Sequence, residues 1–74
     1  MNANDLIETN PKKMSGVPVF IGTRVPITHL FEYLEGGDNL ETFLDDFPTV
    51  TREQAQGVLE LMRKRLLSEY ETAA

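Results

Sequence analysis

The chain has 74 residues, with seven Lys/Arg against twelve Asp/Glu for a formal charge of −5, and 21 of its residues are Ile, Leu, Val or Phe. That apolar content is too high for a disordered acidic tail and predicts one folded domain. It has no cysteine and one histidine, so disulfides, thiolate sites and His-rich metal sites are excluded as supports for a core that supplies about 3–5 kcal/mol at this size; oligomerisation is the expected support.

Residues 1–5 are polar and read as a flexible lead-in, and residues 6–70 as the domain. Leu6 to Thr9 predicts a short strand, and Asn10-Pro11-Lys12-Lys13 a turn. Val17, Val19, Phe20 and Ile21 form a β-rich run interrupted by Pro18 and ended by Gly22, and the proline implies an edge position or strand entry. The two segments are expected to pair as a hairpin, and two strands alone need a covering helical layer.

From Pro26 the period changes. Ile27, Leu30, Phe31 and Leu34 fall on one helical face, with Pro26 suited to the first turn and Gly36-Gly37 to the end. Leu40, Phe43, Leu44 and Phe47 repeat the spacing, capped by Asp38 or Asn39 and stopped by Pro48. A third helix is predicted from Arg52 to about Tyr70. Thr51 and Gln54 form its capping box, and Ala55, Val58, Leu59, Met62, Leu66 and Tyr70 its stripe. Arg63, Lys64 and Arg65 lie in its C-terminal half, where cations complement the helix dipole. Residues 71–74 read as a flexible end.

The third helix outruns its neighbours. Two helices of about nine residues span roughly 13 Å each, against roughly 28 Å for the third. Leu61, Met62, Leu66, Leu67 and Tyr70, with Arg63 among them, therefore predict a contact with another chain. Charge is also uneven: residues 1–28 carry +1, residues 29–50 carry −6 with no Lys or Arg, and residues 51–74 are neutral. The acidic block reads either as a solvated face or as a docking surface for a basic partner.

Three helices with Pro48-Thr49-Val50 joining the last pair have the outline of a helix-turn-helix unit. In that arrangement Thr51, Arg52, Gln54, Ala55 and Gln56 begin the recognition helix, and Arg and Gln have the donor geometry for guanine and adenine. The same residues also read as a capping box and a solvated face. A pI near 4.6 argues against binding nucleic acid through bulk positive charge.

The stretch Gly16-Val17-Pro18-Val19-Phe20-Ile21-Gly22-Thr23-Arg24-Val25-Pro26-Ile27 resembles the signature of the bacterial family called domain of unknown function 433. The resemblance continues through a helix ending in Gly, a second ending in Phe47-Pro48, and Thr-x-x-Gln opening a third, over about residues 7–66. It departs at Leu40-Glu41-Thr42, where the family often has Pro-Glu-Glu, and at Ile21, where a basic residue is common. The resemblance implies a mainly α, homeodomain-like three-helix bundle with a short N-terminal β element, typically dimeric. It also implies the antitoxin half of a VapBC-like pair, partnered by a PIN-like ribonuclease toxin and able to bind operator DNA. The alternatives are a stand-alone dimeric regulator and a structural homodimer.

Within the signature, Gly22 is expected either at positive φ or where the backbone must approach closely, and Thr23 to bond nearby backbone. Arg24 has three readings: a nucleic-acid contact, a bidentate pair with Asp45 or Asp46, or a contact with the toxin. His29 reads as a partly exposed helix residue. Asp45 and Asp46 are adjacent on a helix, so their side chains diverge instead of converging on one ion. No phosphate loop, zinc motif or nucleophile elbow is present, so neither catalysis nor a cofactor is expected. No apolar run approaches the roughly 18–20 residues of a membrane span. The start of the chain lacks signal-peptide character, and a cytoplasmic location is expected.

Overall fold

The two periodicities resolve into six short elements in a computed structural model that describes residues 3–12 and 16–72: α1 (Ala3–Leu6), β1 (Ile7–Glu8), β2 (Val19–Phe20), α2 (Ile27–Glu35), α3 (Leu40–Asp46) and α4 (Arg52–Thr72). Residues 1–2 and 73–74 of the expected flexible ends, and Lys13 of the expected turn, lie outside the described residues. The fold is mainly helical with a two-stranded antiparallel sheet. No helix among the described residues is long and apolar enough to cross a membrane.

The hairpin forms with Ile7 opposite Phe20 and Glu8 opposite Val19. Each strand is shorter than expected. Leu6 belongs instead to a helical turn, Ala3–Leu6, that packs on α4 and buries the Leu6 side chain. At the other strand the chain folds back on itself: Phe20 N–H donates to Val25 O at 3.0 Å and Ile27 N–H to Pro18 O at 3.0 Å. Val17 and Ile21 remain exposed outside the strand, while Val19 and Phe20 are buried.

Pro26 occupies the N-cap of α2, with extended backbone, rather than its first turn. Gly37, at φ 95°, takes the left-handed conformation after the helix, and Gly36 remains right-handed. Asn39 caps α3, its Oδ1 accepting from Thr42 N–H at 2.9 Å. The Thr51–Gln54 capping box forms in both directions: Gln54 N–H donates to Thr51 Oγ1 at 3.1 Å, and Thr51 N–H donates to Gln54 Oε1 at 2.9 Å. Val50 and Ala55, before and within this first turn, are buried in one cluster as in a hydrophobic staple.

That cluster comprises Leu6, Phe20, Ile27, Leu30, Phe43, Val50, Ala55 and Val58. Phe43 is its hub, with ring centroids 5.9 Å from Phe20, 5.5 Å from Tyr33 and 5.1 Å from Phe47. His29 stacks on Phe47 at 5.6 Å and bonds Glu32 at 2.9 Å, the partly exposed position expected of it.

α4 has 21 residues, or about 31 Å of helix. Its core-facing positions end near Val58, and every residue from Met62 to Glu71 is exposed. The radius of gyration is 13.2 Å, against about 11 Å for a compact domain of this length. The difference reflects a helix that projects beyond its neighbours. Because α4 runs on to Thr72, Arg63, Lys64 and Arg65 lie before the last turn, which carries no base.

Candidate interaction surfaces

Two surfaces follow from this frame. The first joins the turn after β2 to the start of α4. Gly22 has φ 75°, and its N–H donates to Glu8 Oε1 at 3.2 Å. Thr23 is buried; its hydroxyl donates to Phe20 O at 2.8 Å and accepts from Val25 N–H at 3.1 Å. These two bonds of a short polar side chain close the turn between Phe20 and Val25. Gln54 then reaches across and donates from Nε2 to Ile21 O at 2.9 Å. The turn and the helix start are thereby stitched into one surface.

The expected nucleic-acid residues divide on this surface. Thr51 and Gln54 are occupied by the capping box, and Gln54 also by Ile21. Arg52 pairs with Glu41 of α3. Arg24 and Gln56 are exposed. The pairing of Arg24 with Asp45 or Asp46 does not form: among the described residues Arg24 is in no ion pair, and Asp46 accepts from the Tyr33 hydroxyl at 2.6 Å. The Asp46 hydrogen bond is the main cause holding the Tyr33 phenol above its ordinary pKa, with desolvation and the charges of Asp46 and Asp38 adding to it.

The acidic block is thus partly engaged. Glu32 contacts His29, Glu41 contacts Arg52, and Asp46 contacts Tyr33. The Tyr33–Asp46 and Glu41–Arg52 contacts were not legible in the sequence, since each joins two helices whose relative placement the chain order does not give. The resulting electrostatic surface is a set of local pairs on a net acidic ground.

The second surface is the free half of α4. Met62, Leu66, Leu67 and Tyr70 are exposed apolar or aromatic side chains, with Tyr70 the most open at 71%. Leu61 is half-buried and packs against the edge of the core, so it belongs to the boundary of the body. Arg63 pairs with Glu60 one turn back. The ion pair is the main cause raising the Arg63 pKa and lowering that of Glu60. Lys64 and Arg65, with Ser68 and Glu69, line an open, shallow stretch of the same helix.

Together these features define a small, mainly helical domain with a two-stranded ribbon, a stitched polar turn and a projecting amphipathic helix. The model of the family described as protein of unknown function (DUF433) matches residues 7–61. The chain belongs to that family. The matched stretch ends at Leu61, where the packed body ends and the free half of α4 begins. A crystal structure of a DUF433 member protein from Anabaena variabilis is similar in fold, with a TM-score of 0.70 at 21% identity over 95% of this chain and 70% of that one. No curated protein matches the sequence.

Proposed function

We propose that this protein is the antitoxin half of a type II toxin–antitoxin pair, and that it acts by binding rather than by catalysis. In this reading the free half of α4 docks on a PIN-like ribonuclease toxin and blocks its active site. The observation that carries it is the row of Met62, Leu66, Leu67 and Tyr70, exposed on a helix whose first half packs on the core through Ala55 and Val58. An apolar row of this kind on a small soluble body marks a protein contact. Arg63, Lys64 and Arg65 beside it supply the positive charge that complements the metal-binding carboxylates of such a nuclease. The class of partner comes from the sequence resemblance.

The test is co-expression with the product of the neighbouring gene, followed by size-exclusion chromatography with light scattering and a growth assay. A stable complex that restores growth is expected. Truncation after Leu61 should abolish the complex while leaving the packed body folded. Toxin binding by the truncated chain would place the contact elsewhere.

A second activity, operator binding by a homeodomain-like α3–turn–α4 unit, has one observation in its favour. Arg24 and Gln56 are exposed on the two segments that Gln54 stitches together. Specific, steeply salt-dependent binding to a palindrome upstream of the gene is expected, weakened by Arg24→Ala and by Gln56→Ala. Undetectable binding at low salt, with and without the toxin, would remove this activity.

A further inference from the structure

We infer that the free half of α4 pairs with the same segment of a second copy of this chain, antiparallel and centred near Leu67. Four observations converge on this occupant. The first is the seam. At 3.6 residues per turn, Leu59, Arg63, Leu66 and Tyr70 share one line along the helix, flanked by Met62 and Leu67. Leu59 is half-buried at the edge of the body and the apolar members beyond it are exposed.

The second is the order of charge. Arg63, Lys64 and Arg65 come first, and Glu69 and Glu71 follow in a last turn that has no base. Acids at a helix C-terminus oppose the dipole. An antiparallel neighbour reverses the order. Arg65 of one copy then lies on the same flank as Glu69 of the other, and Lys64 on the same flank as Glu71. The Arg63 guanidinium comes level with the Tyr70 ring, a cation–π contact. A parallel neighbour would instead set Arg65 beside Lys64 and Glu69 beside Glu71.

The third is length. With the centre at residue 67, Thr72, the last helical residue, comes opposite Met62, where the exposed half begins. Each free half therefore covers the other along its whole length and stops at the other's body. The fourth is area. The exposed apolar side chains and the aliphatic stems beside them would bury on the order of 1,000 Å² over both copies, the low end for a specific interface. The pair is thus exchangeable.

This face is also the one assigned above to the toxin. A toxin would bind by displacing the second copy, and that consequence alone rests on the antitoxin reading.

The test uses the full chain without any toxin. Sedimentation equilibrium through the micromolar range should show the mass rising from 8.4 kDa towards twice that value. Leu66→Glu, at an exposed position, should weaken the dimer by about tenfold or more with an unchanged circular-dichroism spectrum. The chain has no cysteine, so single introduced thiols report orientation: Leu67→Cys should cross-link on oxidation faster than Tyr70→Cys. A monomer at every concentration, a dimer indifferent to Leu66→Glu, or Tyr70→Cys cross-linking as fast or faster would overturn the inference. Toxin binding is measured separately, so a dimer with no toxin complex would remove only the antitoxin reading.

Discussion

Gly22 shows how one residue sets a surface. Its φ of 75° lies where a Cβ is disfavoured, and a Cβ there would meet nothing within 4 Å. The cost of Gly22→Ala is therefore one of backbone conformation, about 1–2 kcal/mol. Gly22→Asn should recover part of it, because Asn tolerates the left-handed region. Urea midpoints at constant slope would measure both. Tyr33 makes a second residue-scale prediction. Its folded pKa is raised above 10.0, so its hydrogen bond to Asp46 stabilises the fold fully below about pH 10 and is lost as pH rises through the folded value. Tyr33→Phe should leave a smaller loss of stability above pH 10 than the parent chain shows, with a constant difference between the two near pH 8–9. Denaturant titrations across that range check the sign.

At the scale of elements, each helix is bounded by local chemistry that its own sequence carries. Asn39 satisfies the start of α3, and Thr51 with Gln54 the start of α4. Removing the Asn39 acceptor by Asn39→Ala should cost about 1 kcal/mol, with Asn39→Ser close to the parent. Thermal unfolding of the three chains would show it. Seven-residue α3 has little intrinsic stability. It is held by Phe43, which is fully buried between Phe20, Tyr33 and Phe47. The strands are shorter than the sequence predicts for a different reason. Pro18 has no N–H to donate, and Leu6 is buried in a helical turn that packs on α4.

At the scale of the molecule, the governing fact is the mismatch between α4 and everything packed on it. A body that ends near Leu61 leaves about 16 Å of helix in solvent, carrying an apolar row and a polarised charge order. The proposed toxin contact and the proposed self-pairing would both use that segment, and the family match stops where it begins. The family match covers residues 7–61, and the projecting half of α4 lies outside that stretch. The stitched turn at Gly22–Arg24 lies within the body, in the stretch the family shares.

The sequence by itself determined the helical periodicities, the capping box at Thr51, the turn-closing role of Thr23 and the uncovered half of α4, and it narrowed the cap of α3 to Asp38 or Asn39 and Gly22 to a positive φ or a close approach. All of these rest on spacing and backbone chemistry that act over a few residues. Only the tertiary structure decided which polar groups meet. Arg24 does not pair with Asp45 or Asp46, and the Asp46 carboxylate accepts from Tyr33 of α2. Arg52 is taken by Glu41, and Gln54 is drawn to Ile21 33 residues away. Such pairs depend on how helices and strands are placed against one another. That placement is set by the shared burial of Phe20, Phe43 and Val58, which no local pattern encodes.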